Sequence, residues 1–256
     1  MTVRALALAM LLGVACTSAP TAPELSPTAA VPVDPSTTGS PMPPAVASTP
    51  SPAPVRERFA GRVVTPLPPA IAAEMHGTTW HPGCPIPLSD LALLRFNHEG
   101  LDGSVKRGSM VVNAAVAEDV LWVFGRLFDA RFPLKRVALA IEYHPLRDER
   151  RPNTRHSVTA SFNCRPIVLP DGPGNEWSQH AYGLAVDVNP LQNPYVAADG
   201  WVRNRFARPY VDRSRDLPGM IHAGDVITRA FDAIGWAWGG RWGGGRDYMH
   251  FSLTGR

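Results

Sequence analysis

The feature that most constrains the fold is an abrupt change of composition near residue 56. Residues 17–55 contain eleven prolines, many Ser, Thr and Ala, and neither a basic nor an aromatic side chain. Such a segment cannot bury enough apolar surface to offset the entropy lost on ordering, and its prolines favour extended polyproline II. We therefore predict a disordered, semi-stiff tether at residues 16–55 and one folded domain at residues 56–256, which hold all seven tryptophans.

The first fifteen residues are typical of a secretory signal. Arg4 is followed by an apolar run at residues 5–14, which is too short for a membrane span of roughly 20 residues. Cys16 comes directly after small residues suited to cleavage. We expect Cys16 to be lipidated, which would anchor an extracytoplasmic lipoprotein of the cell envelope to the membrane; ordinary secretion is the alternative.

Charge and cysteine content narrow the possible partners. The net charge is +3 and the arginines are spread along the domain, so the sequence shows no concentrated basic stripe for nucleic acid. Nothing indicates more than a monomer. Besides Cys16 the chain holds only Cys84 and Cys164, and in an oxidising compartment such a pair predicts a disulfide. A cysteine nucleophile paired with a histidine is the alternative.

Hydrophobic periodicity predicts an α+β domain with a central antiparallel sheet flanked by helices. Asn113 is placed to cap a helix that runs to about Arg131 and is stopped by Pro133. The segment at residues 56–88 is rich in Pro and Gly and reads as irregular. The remaining predicted elements are a helix at residues 223–234, strands at 136–143, 157–162, 184–188 and 246–253, and short apolar stretches at 91–96 and 110–113.

Two short motifs bring together residues that bind metals. His180 and Asp187 are separated by Gly183, where we expect the chain to reverse, and Asp247 precedes His250 by three residues near the C-terminus. Two imidazoles and one carboxylate suit Zn²⁺, and three protein ligands leave the open position of a catalytic site. If Asp247 stays uncoordinated, it could act as general base toward the zinc-activated water.

These motifs resemble a known family. Residues 178–190 (SQHAYGLAVDVNP) and 247–251 (DYMHF) resemble the SxHxxGxAxD and [DE]xxH signatures of the M15 metallopeptidases, and the resemblance extends over about residues 137–253. That family includes D-alanyl-D-alanine carboxypeptidases and endolysins that cut the L-alanyl-D-glutamate bond. The resemblance implies a Hedgehog/DD-peptidase-like fold, zinc ligands His180, Asp187 and His250, Asp247 as the base, and peptidoglycan stem peptides as substrate.

Three further residues are candidates for substrate contact. The resemblance implies that Arg165 stabilises the oxyanion or holds a substrate carboxylate, and a surface ion pair is the alternative. It also suggests Ser178 as a substrate-contacting hydroxyl, whereas the sequence alone allows a capping role. Trp242 lies in a glycine-rich rim at residues 239–245 and could serve as a platform for substrate, while Trp236 and Trp238 read as core residues.

The sequence therefore predicts a zinc metallopeptidase that hydrolyses peptidoglycan stem peptides, as a carboxypeptidase or an endopeptidase. Two other classes stay open. One is a non-catalytic zinc module, and the other is a cell-wall-binding lipoprotein whose metal only stabilises the fold. Asp247 favours the enzyme, because a binding domain has no need of a free acid beside its metal.

Overall fold

The computed structural model describes residues 57–143, 155–169 and 172–255. The predicted signal segment, Cys16 and the whole of the tether lie outside the described residues, so those assignments stay predictions. No helix in the described ranges is both long enough and apolar enough to span a membrane. The helices are α1 (Pro69–Met75), α2 (Ala117–Asp129) and α3 (Val226–Ala233). The strands are β1 (Gly61–Val64), β2 (Leu91–Glu99), β3 (Val105–Asn113), β4 (Pro166–Leu169), β5 (Gly172–Trp177), β6 (Ala185–Asp187), β7 (Tyr195–Val196), β8 (Ala237–Trp238), β9 (Arg246–Asp247) and β10 (His250–Ser252).

The α+β class is confirmed, but the strands of the described segments form four small sheets rather than one central sheet. Two sheets have three antiparallel strands, ordered β1-β2-β3 and β6-β10-β8, and two are antiparallel pairs, β4-β5 and β7-β9. The site lies where the second large sheet meets the β7-β9 pair.

Helix α2 packs the main core against the first sheet. The side chain of Asn113 accepts a hydrogen bond from the backbone N–H of Ala115 and so caps the 3-10 turn that leads into α2, as the sequence predicts. Phe124 on α2 stacks on Phe96 of β2 with ring centroids 4.5 Å apart. This face of the helix is buried because its apolar residues recur at helical spacing.

The second sheet is held by aromatic packing beneath the predicted motifs. Phe251 on β10 stacks on Phe231 of α3 at 4.1 Å between ring centroids, and both side chains are fully buried. Trp236 and Trp238 are also buried, which confirms their prediction as core residues. The predicted helix at residues 223–234 is confirmed as α3, and the strand at 184–188 is confirmed as β6.

Two predicted strands are wrong. Residues 136–143 make only an isolated bridge at Val137 and then turn into a 3-10 helix, Ala140–Tyr143. Residues 157–162 are extended, but successive N–H groups of Thr159, Ala160 and Phe162 donate to three different segments, at Arg136, Asp187 and Val111. Because no single partner runs alongside, no ladder forms, and the segment instead ties the two large sheets together.

Two other predictions need correction in their boundaries. The segment at residues 56–88 contains β1 and α1, so it is not irregular throughout. The final predicted strand divides into β9 and β10, because Tyr248 donates its N–H to Pro194 while the carbonyl of Met249 accepts from Val188. This break matters for the site, since it turns Asp247 and His250 toward a common centre.

The predicted disulfide is present. Cys84 and Cys164 are bonded with their Cα atoms 5.9 Å apart, and the bond closes a sequence separation of 80 residues. It joins the loop before β2 to the segment that ends at Arg165. A covalent link at this point restrains one of the candidate site residues relative to the first sheet.

Candidate metal centre and active site

Strand pairing places the two predicted motifs side by side. β6 and β10 are antiparallel, and Asp187 is the direct register partner of His250. His180 reaches the same place on a short 3-10 helix, Gln179–Tyr182, which ends at Gly183 with φ +66°. A residue with a side chain is strained at that angle, and a Cβ there would lie 2.5 Å from the backbone nitrogen of Asn113. The expected chain reversal at Gly183 is therefore present.

The three predicted ligands converge on one oxygen. Oδ1 of Asp187 lies 3.3 Å from Nε2 of His180 and 3.1 Å from Nδ1 of His250. The candidate ligand atoms of the three residues all lie within 4.8 Å of one another, and both histidines are buried. The rings meet edge to face with centroids 5.1 Å apart. Such an arrangement leaves room for one ion between the three side chains.

The hydrogen bonds of His180 test whether a cation fits. Its Nδ1 lies 2.8 Å from the backbone carbonyl of Ser161, which can only accept, so Nδ1 carries the proton. In the neutral ring Nε2 then holds a lone pair that faces the carboxylate of Asp187. Within the described part of the chain this buried Nε2 has no hydrogen-bond partner. A cation between the two acceptors satisfies both, and a histidine that donates its other N–H to a carbonyl is the usual metal-bound form.

The donor set also indicates which metal fits. Two imidazole nitrogens and one carboxylate oxygen suit zinc, and three protein ligands leave a position open. A second group of metal-binding residue types, His81, Cys84 and Cys164, is not comparable, because its two cysteines form the disulfide. Among the described residues, the triad is thus the group whose ligands stand ready for a metal.

The two carboxylates of the site have opposite electrostatics. Burial opposes ionisation of Asp187, but the facing rings of His180 and His250 outweigh it and hold the pKa of Asp187 well below its usual range. Burial, reinforced by the negative charge of Asp187, raises the pKa of Asp247 to about 7. When two neighbouring carboxyl groups have pKa values shifted in opposite directions, one suits a metal ligand and the other suits a group that accepts and donates a proton.

Asp247 is held beside the triad by its backbone. It ends β9 opposite Tyr195 on β7, and Gly239 lies so close that a Cβ there would be 2.6 Å from the carbonyl oxygen of Asp247. Its Oδ1 is buried, and no other described residue gives it a hydrogen bond. This buried oxygen therefore keeps a free acceptor position beside the triad.

The other candidate residues take the following places. Arg165 is half-buried and donates a hydrogen bond to the carbonyl of Pro166 at 3.2 Å. Its positive charge also lowers the pKa of Asp247, but this effect is smaller than those of burial and of Asp187. Ser178 accepts from the backbone N–H of His180 at 3.4 Å and so caps the turn that carries this ligand. The ring of Trp242 lies 5.7 Å from that of His250 and its Nε1–H donates to Gly255.

Two supporting residues escape prediction from the sequence. Ser161 fixes His180 through its carbonyl, and its hydroxyl donates to Ala185 on β6 at 2.6 Å. Arg213 lies over the ring of Tyr248 at 4.4 Å and donates to the carbonyls of three loop residues and to Oδ1 of Asn193. Arg213 thereby packs the loops around the turn between Asp247 and His250. Its position in a Pro- and Arg-rich stretch carries no motif that could have marked it.

Comparison with known proteins agrees with the site. Residues 171–253 match a family model described as D-alanyl-D-alanine carboxypeptidase, and this stretch contains the triad and Asp247 but not Arg165. No curated protein and no solved structure matches the chain. The match supports a hydrolase that acts on peptide bonds. The match further supports the M15 peptidases, which act on cell-wall peptides, as the family of this part of the chain.

Proposed function

We propose that this protein is a zinc-dependent peptidase that hydrolyses peptidoglycan stem peptides. The observation that carries the proposal is the triad of His180, Asp187 and His250, with the acid Asp247 beside it, whose buried Oδ1 accepts no hydrogen bond from the described residues. A purely structural zinc is usually closed by four ligands and needs no such acid. When bound, zinc supplies Lewis-acid polarisation of a carbonyl and makes water nucleophilic near neutral pH.

The roles of the chain's own residues follow from their positions. Asp247, whose buried Oδ1 accepts no hydrogen bond from the described residues, accepts the proton of the attacking water and returns it to the leaving amine. Arg165 carries its positive charge close enough to act on Asp247, so it can stabilise the oxyanion or bind a substrate carboxylate. Trp242 offers an aromatic surface next to His250 for the body of the peptide.

Removal of a terminal D-alanine is the first reaction to consider, because the matched family model carries that description. An endopeptidase would use the same triad and base but would not require recognition of a free carboxylate. Arg165 serves either reaction, so the products decide between them. We also propose that Cys16 is lipidated. The lipid would anchor the protein at the extracytoplasmic face of the membrane, toward the cell wall.

The test is a digest of defined pentapeptide muropeptides by the zinc-loaded full chain, with and without chelator, read by mass spectrometry. Chelator-sensitive loss of one alanine identifies a carboxypeptidase, and a chelator-sensitive internal cut identifies an endopeptidase. Asp247→Ala should retain zinc and lose turnover. The matched control is Asp216→Ala, since the side chain of Asp216 is 94% exposed. Bound zinc with no cut by the unmodified chain would refute the peptidase and favour the non-catalytic zinc module.

A further inference from the structure

The face of the first sheet that points away from α2 changes character along its strands. On β2 this face carries Leu91 and Leu93, which are fully buried, and then Arg95, which is exposed. These residues share a face because side chains alternate along a strand. Beside Leu93 in the register lie Val64 on β1 and Val111 on β3, and the three pack in a common apolar cluster. Two residues farther along the strands, this cluster gives way to charge.

At that level, or two residues farther along, each strand carries an arginine. Arg62 on β1 is directly opposite Arg95 on β2, and Arg95 is directly opposite Ser109 on β3. Arg107 is two residues from Ser109 and therefore projects from the same face. We call Arg62, Arg95 and Arg107 the arginine row. All three are exposed on one sheet surface, with Arg62 and Arg95 directly opposite each other and Arg107 diagonally beyond Arg95.

No acidic residue in the described part of the chain forms an ion pair with the arginine row. The lysine and arginine ion pairs of the described segments join Lys106 to Asp102, Arg136 to Glu142 and Arg241 to Asp232, and none involves the row. Like charges directly opposite each other on neighbouring strands are unfavourable. A row of this kind therefore costs stability in the free protein, and an external anion would relieve that cost.

The arginine row forms the floor of an open groove with a volume of about 1040 Å³. Arg58 and Arg136 also line it, and the acidic groups that face it are Glu57 and Glu142. Glu142 is already paired with Arg136, so the groove keeps a clear positive excess. None of the triad residues lines this groove, and neither does Asp247, so the groove is separate from the metal centre.

We propose that the groove docks an extended polyol-phosphate polymer, with closely repeated phosphodiester groups and no bases. A guanidinium fork binds the two free oxygens of a phosphodiester well. Neighbouring positions of the row lie about 5 Å apart across strands and about 7 Å apart along them, so the anions must be closely spaced. A polymer with one carboxylate per long repeat could meet only one arginine at a time.

The groove also argues against a nucleic acid as its occupant. Single strands are held by bases stacked on exposed aromatic rings, with basic residues along the backbone. Among the described residues that line the groove, the aromatic one is Phe96, which is 3% exposed and packs in the core beneath the sheet. The groove thus offers charge without stacking surface, as a polymer without bases requires.

The test measures binding of poly(glycerol phosphate) of defined length to the zinc-loaded full chain by calorimetry at low salt. The row variant is Arg62→Gln/Arg95→Gln/Arg107→Gln, and the matched control is Arg131→Gln/Arg203→Gln/Arg208→Gln, which removes the same charge from exposed sites outside the groove. We expect the row variant to bind at least about tenfold more weakly and to show a shallower salt dependence. The control should change Kd by less than about twofold.

Several outcomes would overturn the proposal. These are no binding by the unmodified chain, equal losses in the row variant and the control, equally tight binding of polyglutamate of the same charge, and tighter binding of single-stranded DNA. Arg95→Gln alone should keep or raise the melting temperature, because it removes a like-charge contact; a marked fall would make the row structural. Cleavage of small muropeptides should be unchanged in the row variant, so the docking test stands even if the proposed peptidase activity fails.

Discussion

Substitution of Asp247 by Asn tests whether the site raises the pKa of this carboxyl group. Asn has nearly the same shape but cannot ionise, so the variant keeps the packing around this buried side chain and removes only the charge. In the metal-free protein, burial and then the charge of Asp187 raise the pKa of Asp247 from 3.8 to about 7. An acid with a raised pKa holds its proton more tightly in the folded state than in the unfolded state.

The sign of the effect follows from that difference. Below pH 4 Asp247 is protonated in both states, and its contribution to the free energy of unfolding is fully present. As the pH rises toward 7 the unfolded state releases the proton first, and the unmodified protein loses stability. Each pH unit in this window corresponds to about 1.4 kcal/mol, so Asp247→Asn should be more stable by up to about 4 kcal/mol above pH 7.

The assay is denaturant unfolding of the chelated protein and the variant at pH 4, 5.5, 7 and 8. Asp187 is present in both proteins, so the part of its effect on stability that does not act through Asp247 cancels in the difference. With zinc bound, the nearby positive charge favours the ionised acid, so the advantage of the variant should shrink. A stability difference that does not change between pH 4 and 8 would refute the reasoning, because it would mean that Asp247 titrates normally in the folded protein.

Three further predictions concern the ligands, the disulfide and a glycine. His180→Ala should weaken zinc binding by at least about 100-fold, because loss of even a residue that only supports a ligand typically costs 10–100-fold in affinity. A competition titration with a chromophoric chelator measures the zinc affinity. Unchanged affinity would remove His180 from the ligand set. Cys84→Ser/Cys164→Ser should lower the free energy of unfolding by about 4 kcal/mol, because the disulfide closes a separation of 80 residues. Denaturant unfolding should give the same free energy of unfolding for this variant and for the reduced parent protein. Gly239→Ala should lower kcat for muropeptides while zinc stoichiometry stays at one, because its Cβ would press on the backbone of Asp247, whereas a Cβ at Gly244 meets nothing within 4 Å. Equal activity of Gly239→Ala and the control Gly244→Ala would contradict this.

Much of the candidate site is readable from the sequence because its parts are local. Ser178, His180 and Asp187 lie within ten residues, and the glycine between the two ligands supplies the chain reversal that brings them together. The cap at Asn113 and helix α2 are similarly local, since both depend on residues within a few turns. The disulfide was predictable because two cysteines remained for an oxidising compartment.

The tertiary structure decided what depends on distant partners. An extended segment becomes a strand only when another chain segment runs alongside it, and Thr159, Ala160 and Phe162 each bond to a different one. The pKa of Asp247 reflects its burial and the charge of Asp187, sixty positions earlier in the chain. Arg213 contacts Tyr248 and loops that are distant in sequence, so residue spacing could not predict its role. The arginine row exists only because the β1-β2-β3 register aligns three residues that look scattered along the chain. Residue types and short spacings thus determined the chemistry available, whereas long-range hydrogen bonding and burial decided which groups meet and in what ionisation state.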